Sequence, residues 1–581
     1  MTSSTEPLAR FLPLARLALT GEFGEGDRER FVEPLARLLE AASRGVGQLS
    51  KKECRLPANH PEEYFSTDGD LVLLPRYKSC WDLVRDEFER RFADKGAGLV
   101  FNGEEVLKGI NDILPAVTEP SFDNAQQRLA VAAFVDARVA VLTGGPGTGK
   151  TTCAAALLAL RKRLDPTLTV EEVLISAPTG KAACRLAESL CKAAERLPLS
   201  DEEKDFLIHL EPKTLHKALG WTPKPPEQGG PFARNATSPL DVKLVIVDEA
   251  SMVDLELMAH LMRALPSVAT LVLLGDSDQL ESVETGGVLA ELVERGAADA
   301  LPPETLKIWS SRIGSDAEKV FDAGLTTKKS TAIPLPGLVI SLRHSYRAKE
   351  SPWILELAAI VRPGSSESAD DFRRIAMDHV PNVRIYDRRA EFDAFCHEQW
   401  ESWSLSMTRW TLGNLAELIP CLGGLLSEFQ LLCGSNAQVD RANRRGQCVL
   451  WGSSPAQSPH ILPHGCPLLV SSNRHSLGLS NGDIGVAMGT GPGTAAQVAV
   501  FPGKALPIPL AQLPAHKPAF ALTIHKSQGS EWANVALDLP GEESELLDRN
   551  LIYTAITRSC RGFHLFAEKK ALERILDHAS S

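Results

Sequence analysis

The sequence predicts an α/β protein with parallel, doubly wound sheets, and three observations carry that prediction. Residues 139–152, V-A-V-L-T-G-G-P-G-T-G-K-T-T, run from an aliphatic strand through a glycine turn into an alanine- and leucine-rich helix. Residues 244–251, L-V-I-V-D-E-A-S, again end a buried strand in a polar turn, here with two adjacent carboxylates. Residues 271–280, L-V-L-L-G-D-S-D-Q-L, do so a third time. Strands that end this way before a helix set their sites along one carboxyl edge of a sheet.

At 581 residues the chain is too long for one core, and its length suggests roughly three or four domains. Hydrophobic residues at 44% and charged residues at 23% are ordinary for a globular protein. A net charge of −12 excludes an overall basic coat, though not a local groove for nucleic acid. The 11 cysteines contain no C-x-x-C pair and read as free thiols in a reducing compartment. Cys54, His60 and Cys80 match no zinc-site spacing. The start lacks the basic-then-apolar order of a signal peptide, and the most apolar stretch, 418–426, is too short for a bilayer. The expectation is a cytoplasmic protein with no membrane partner.

Residues 1–115 read as a mainly helical accessory or docking domain. Phe31, Leu35, Leu38 and Leu39 repeat at helical spacing before Gly45, and Trp81, Val84, Phe88 and Phe92 form a second stripe that reads as core. Gln126 and Gln127 then precede the apolar helix that feeds the first strand. An amide there can offer adenine a donor and an acceptor, and the spacing favours Gln127.

The segment Gly144, Gly145, Pro146, Gly147, Thr148, Gly149, Lys150, Thr151 has the spacing G-x-x-x-x-G-K-[ST] of a phosphate-binding loop. Its glycines let backbone N–H groups turn inward onto phosphate oxygens, and the following helix points its N-terminus at the same anion. Lys150 is placed to reach the β- and γ-phosphates, with Thr151 as a Mg²⁺ ligand and Thr152 continuing the helix. ATP and Mg²⁺ are thus the expected cofactors. Asp248 is the second metal ligand, Glu249 the base for the attacking water, and Gln279 a sensor at the γ-phosphate.

Polar, Gly- and Pro-broken residues 312–336 mark a boundary, which gives domains 116–335 and 336–581. The second contains L-R-H-S-Y-R at 342–347, strand 429–433 and a run of short apolar strands around Asn481-Gly482. That run, 464–515, reads as a small inserted β-barrel. A strand at 520–523 follows, then I-H-K-S-Q-G-S-E at 524–531 and L-I-Y-T-A-I-T-R at 551–558.

In number, order and spacing, G-G-P-G-T-G-K-T-T, A-P-T-G-K-A-A, V-D-E-A-S, G-D-S-D-Q-L, S-Y-R, T-I-H-K-S-Q-G-S-E and Y-T-A-I-T-R resemble the motifs of superfamily 1 helicases, over about residues 127–561. Within that superfamily, A-P-T-G-K-A-A-C-R-L, T-L-H-K-A-L-G, N-G-D-I-G and H-K-S-Q-G-S-E look most like the RecD family, the alpha subunits of the bacterial RecBCD helicase–nuclease, exodeoxyribonuclease V. The resemblance implies two RecA-like domains with an SH3-like insert. It implies an ATP-dependent 5′-to-3′ DNA helicase that works with RecB-like and RecC-like subunits on double-strand ends for recombination repair. No nuclease site of its own is expected. The alternative is a stand-alone RecD-like helicase, whose family carries a longer N-terminal region than the one that precedes this motor. Arg347 and Arg558 resemble the two arginines that face the γ-phosphate from the second domain. Lys526 to Glu531 resembles the loop that joins nucleotide to DNA, with Gly529 and Glu531 on the nucleotide and Glu531 the candidate for ribose. Thr179, Lys181, Thr214, His216, Thr523, His525 and Ser527 lie where the family touches single-stranded DNA, and residues 222–238 are a candidate strand-separating hairpin. Cys153 and Cys184 depart mildly from the family's Thr or Ala, and residues 438–447 follow its pattern too loosely for a site assignment.

Overall fold

A computed structural model describes residues 11–19, 25–43, 48–57, 60–62, 64–68, 70–94, 101–119, 122–223, 231–280, 287–296, 303–313, 339–344, 351–362, 365, 367–452, 461–539, 541 and 549–576. The N-terminal part has its own small core. Helix α1 (Glu25–Ser43) packs Phe31, Leu35 and Leu38 with Cys54, Phe65 and Val72. An antiparallel sheet also contributes, with β1 (Gln48–Ser50), β2 (Ser66–Asp68) and β3 (Leu71–Leu73) in the order β1-β3-β2. Its three-residue strands are too short to leave an alternation in the sequence.

Helices α2 (Pro75–Ala93), α3 (Gly103–Ile113) and α4 (Ala125–Phe134) lead to the first parallel sheet. The chain then runs β4 (Val139–Gly144), α5 (Lys150–Leu164), β5 (Val173–Ala177), α6 (Gly180–Arg196), β6 (Lys213–Thr214), α7 (Leu215–Ala218), β7 (Leu244–Val247), α8 (Leu255–Ala264), β8 (Thr270–Gly275), α9 (Val288–Gly296), α10 (Pro303–Ile313) and β9 (Val339–Leu342). The strand order is β9-β4-β8-β7-β5-β6, all parallel, with Val141 of β4 opposite Leu273 of β8 and Val339 of β9. β4, β7 and β8 are covered on both faces, which is why they read as unbroken apolar runs.

Two segments join this sheet that the sequence reading placed elsewhere. β9 extends its edge and seats Ile340 and Leu342 in its core, so the chain leaves the first domain after Leu342 rather than near residue 336. The stripe Trp81, Val84 and Phe88 on α2 packs into the cluster under β4, β7 and β8, not into the N-terminal core. Arg91 fixes it there. Its buried guanidinium donates to the carbonyls of Leu265 and Pro266 at 3.0 Å each, Ser267 at 3.4 Å and Ala269 at 3.0 Å, just past the end of α8. They belong to the connection between α8 and β8, whose backbone carbonyls have no ladder or helix to satisfy them.

The second domain repeats the pattern with α11 (Pro352–Val361), β10 (Val383–Tyr386), α12 (Arg389–Met407), β11 (Phe429–Cys433) and α13 (Asn436–Trp451). An insert follows, made of β12 (Cys466–Val470), β13 (Ile484–Gly489), β14 (Ala496–Val500), β15 (Ile508–Pro509) and β16 (His516–Pro518). The parent sheet resumes at β17 (Ala521–Thr523), α14 (Ile524–Ser527), β18 (Trp532–Asp538), α15 (Arg549–Ile556), β19 (Ser559–Phe566) and α16 (Lys569–Leu576). The parallel order is β10-β19-β18-β11-β17, and the insert is a five-stranded antiparallel sheet, β15-β14-β13-β12-β16, with β15 and β16 at its edges. Buried amides on α13 serve this packing: Asn443 brackets the Ala521 backbone, and Gln438 donates to the carbonyls of Asp538 and Leu539 at 3.3 Å each. Among the described residues no helix is long and apolar enough to cross a membrane.

Candidate nucleotide cleft and strand edge

β4 delivers the loop. Gly147 and Gly149 have φ of 71° and 88°, which L side chains rarely adopt, and a Cβ on Gly144 would stand 2.8 Å from the Leu342 carbonyl oxygen. Gly149 is the N-cap of α5 and brings no side chain to the first N–H groups, so these donors are left for an anion. Lys150 folds back over the loop, its ammonium donating to the carbonyls of Gly144 at 2.5 Å and Gly145 at 3.2 Å. Thr148 Oγ1 donates to Gly145 O at 2.8 Å.

Two strands along, β7 presents Asp248 and Glu249. Glu249 holds φ at 52°, and its N–H donates to Asp248 Oδ1 at 2.9 Å. Burial, then the charge of Glu249, pushes the Asp248 carboxyl above its ordinary range, while Lys150 works the other way. Between them β8 ends in Asp276 and Gln279. Gln279 is buried, its amide nitrogen donates to Asp276 Oδ2 at 2.9 Å, and its amide oxygen has no hydrogen-bond partner among the described residues. No cluster of three His, Cys, Asp or Glu suited to a metal occurs among the described residues. A phosphate-bound Mg²⁺ needs none, because phosphate oxygens and water complete a shell begun by one hydroxyl and one carboxylate.

The second domain closes the same space. Gly529 (φ 67°), Glu531 and Arg558 line one cleft of about 910 Å³ with Gln127, the 146–152 loop, Asp248, Glu249 and Gln279. Arg558 is buried and anchored to the carbonyls of Thr554 and Ser530 at 3.3 Å each. Arg347, the other expected arginine, lies outside the described residues. The Gln127 amide donates to Thr148 O at 3.0 Å and so braces the loop, while Gln126 Oε1 accepts from the Arg343 N–H at 2.8 Å. The sequence reading missed one wall. Arg185, Ser189, Lys192 and Arg196 all line the cleft from α6, and their three- and four-residue spacing was the available signal. Burial lowers the Arg185 pKa, with Glu531 and Glu249 opposing and Arg558 adding to the shift.

The residues expected at a DNA strand fall into two groups. Thr179, Thr214 and Thr523 stand at the carboxyl ends of β5, β6 and β17, each as the N-cap of the next helix. Each hydroxyl oxygen accepts a backbone N–H, at 3.2, 3.2 and 3.4 Å, which leaves the O–H free to donate outward. His525 follows Thr523 and is half-buried. His216 packs against Phe232 and Trp221, with ring centroids 5.9 and 6.3 Å away. Those rings bracket the expected hairpin. Trp221 and Phe232 pair antiparallel and Thr222 N–H donates to Pro231 O at 2.8 Å, while residues 224–230 lie outside the described ones. Two residues lie elsewhere. Ser527 is fully buried and its hydroxyl donates to Ile524 O at 2.6 Å, so its side chain is not offered to a strand. Lys181 is wedged between the domains, 5.9 Å from the centre of the Trp532 ring. A Cβ on its neighbour Gly180 would meet the Ser480 side chain at 2.9 Å, and burial pulls the Lys181 ammonium down to about 7.

A phosphate loop and a carboxylate pair on one parallel sheet, facing a buried arginine from a second, define a two-domain P-loop protein. Residues 127–285 match the AAA domain model, and residues 518–565 match the UvrD-like helicase C-terminal domain. The RecBCD enzyme subunit RecD of Mycobacterium tuberculosis is 33% identical over 502 residues, covering 85% of this chain and 76% of that protein. The RecBCD enzyme subunit RecD of Haemophilus influenzae is 30% identical over 504 residues, covering 81% and 73%. This chain belongs to the RecD family. The ATP-dependent RecD2 DNA helicase of Deinococcus radiodurans is 29% identical over 427 residues, covering 73% of this chain and 46% of that protein. Among solved structures, the Pif1 helicase from Candida albicans covers 79% of this chain, and 96% of its own length is matched, at 15% identity and a TM-score of 0.39.

Proposed function

We infer that this chain is an ATP-dependent DNA helicase and the motor subunit of a RecBCD-type complex. Membership of the RecD family supports the class. The observation that carries the mechanism is the single cleft lined by Lys150, Asp248, Glu249 and Gln279 from one domain and by Glu531 and Arg558 from the other.

In this reading ATP lays its phosphates along the loop N–H groups and the open N-terminus of α5. Lys150 exchanges its two loop carbonyls for β- and γ-phosphate oxygens. Thr151 and Asp248 would hold Mg²⁺, which would supply charge neutralisation for the phosphates. A buried carboxyl beside Glu249 fits that role, since a cation offsets the burial, and then the Glu249 charge, that raise its pKa. Glu249 takes the proton of the attacking water, and Arg558 stabilises charge on the transferring phosphoryl group; Arg347 is proposed as its partner. Gln127 braces the loop beside adenine, with Gly529 and Glu531 at the ribose side.

Because the arginine and the loop ride on different domains, hydrolysis and cleft closure are one event. The strand runs over the capped turns at Thr179, Thr214 and Thr523 with His216 and His525 nearby, where hydroxyl donors grip phosphates without reading sequence. Unequal grip across the cycle then becomes translocation, with the 222–238 hairpin as the element that parts the duplex. We assign 5′-to-3′ polarity, action at double-strand ends in bacterial recombination repair, and RecB-like and RecC-like partners. Identity of 33% over 85% of this chain to the M. tuberculosis subunit, against 29% over 73% to the RecD2 helicase, supports the complex over the stand-alone reading. Strand displacement on 5′- and 3′-tailed duplexes tests the polarity. Unwinding of the 5′-tailed substrate is expected, and a 3′-only result overturns it. Full-rate unwinding by the isolated chain would overturn the subunit reading.

A further inference from the structure

The turn that carries Gln279 is held from the opposite domain. Leu280, which ends it, sits in the hydrophobic cluster of the second domain with Trp353 and Ile552. The Leu280 N–H donates to Thr554 Oγ1 at 2.9 Å, and its carbonyl accepts from Gln528 Nε2 at 2.7 Å. Arg362, which ends α11, bonds Asp278 at 2.7 Å. At the centre, the buried Tyr553 hydroxyl of α15 donates to Asp276 Oδ2 at 3.1 Å, the same oxygen that accepts the Gln279 amide nitrogen at 2.9 Å.

This sharing decides what Gln279 can do. A carboxylate only accepts, so the NH₂ group of Gln279 must face Asp276 and its amide oxygen must face away. That oxygen is buried, has no partner among the described residues, and belongs to a side chain that lines the nucleotide cleft with Lys150 and Glu249. An orphan acceptor of this kind costs free energy unless a donor arrives, and the O–H of a water poised at the γ-phosphate is such a donor. Burial, followed by the charges of Asp276 and Asp278, keeps the Tyr553 phenol protonated and therefore a donor.

We propose that Tyr553 is a positioning residue for hydrolysis: through Asp276 it holds the Gln279 amide with its oxygen toward the attacking water. The second domain thereby contributes to water placement as well as to phosphoryl charge. The orientation of Gln279 depends on the domains being together, and ATP is cleaved only when they are. This rests on the nucleotide-site reading above.

The test is a double-mutant cycle on DNA-stimulated ATP hydrolysis by the full chain. Tyr553→Phe keeps the ring and removes the hydroxyl. It is expected to lower kcat about tenfold, the worth of one buried hydrogen bond to a charged group, with ATP KM held within about twofold. Gln279→Ala is expected to lose more, and Tyr553→Phe in that background to lose nothing further, because the tyrosine acts only through the amide. Asp276→Asn, whose own NH₂ can turn the Gln279 amide around, should slow turnover and likewise become insensitive to Tyr553→Phe. Affinity for ADP with aluminium fluoride should weaken in Tyr553→Phe while affinity for ADP does not, a split that loosened packing would not give. Unchanged kcat in Tyr553→Phe, or losses that multiply in the double variant, overturn the proposal. Lys150→Ala separates the two readings. If it abolishes turnover while Tyr553→Phe is normal, only the positioning role fails; if it retains turnover, the nucleotide site itself is misassigned.

Discussion

In the first sheet β4 turns into α5 through glycines, and the N-cap Gly149 leaves the helix donors without a side-chain partner. In the second, β11 turns into α13 behind Ser435, whose hydroxyl accepts from the Gln438 N–H at 3.3 Å while Gln438 Oε1 accepts from the Ser435 N–H at 3.1 Å. The chain grammar is the same, but one helix keeps its N-terminus open for an anion and the other closes it with its own side chains. The two sheets are therefore not two nucleotide sites. The second brings Arg558 and Glu531 to the cleft and Tyr553 of α15 to Asp276 behind it, while the glycine loop belongs to the first. In the proposed reading only the first sheet takes the phosphates, because only its helix end is left without a side-chain cap.

That contrast can be broken at several points. Lys150→Gln removes the one ammonium in the open loop and is expected to cut DNA-stimulated ATP turnover by about 10³-fold or more, with the thermal midpoint unchanged. A retained rate would remove the loop from the chemistry. Arg91→Leu tests whether α2 belongs with the first sheet. Four carbonyls, those of Leu265 and Ala269 in buried bonds, lose their donor, so urea unfolding should report a loss of roughly 2–4 kcal/mol. A neutral result would make α2 an appendage. Gly149→Ala forces a side chain to φ 88° and should cost about 1–2 kcal/mol of stability, together with a raised ATP KM. Ser435→Ala is the counterpart on the closed helix, expected to cost about 1 kcal/mol in unfolding and to leave ATP turnover at the parent level. A turnover defect there would mean that α13 also serves the nucleotide.

Much of this was legible in the sequence. β4, β7 and β8 were readable because strands buried on both faces leave continuous Val, Leu and Ile runs bounded by glycine or polar turns. The phosphate loop was readable because its backbone geometry admits few residues besides glycine at set positions. β9 was hidden by the polar stretch before it, and the short strands β1, β2 and β3 by their length. The α2 stripe was correctly core, but periodicity says that a face is buried without saying against what. Gln127 illustrates the limit for polar groups. Its amide pairs with Thr148 O, a contact that spacing alone does not reveal. Ser527 shares a motif with His525 yet turns inward, since positions two apart on a helical turn lie on opposite sides of it. The Tyr553–Asp276 bond joins residues 277 positions apart, on different domains, and no local pattern encodes it.

The central claim is that the cleft is one site made by two domains, and Arg558→Ala tests it most directly. DNA-stimulated ATP turnover and ADP binding are measured on the same preparation. The account predicts turnover lower by about 10³-fold with ADP affinity within about twofold of the parent, since the arginine meets charge that develops only on the transferring phosphoryl. Turnover within about twofold of the parent would contradict it, and the first sheet would then hold a complete hydrolase of its own.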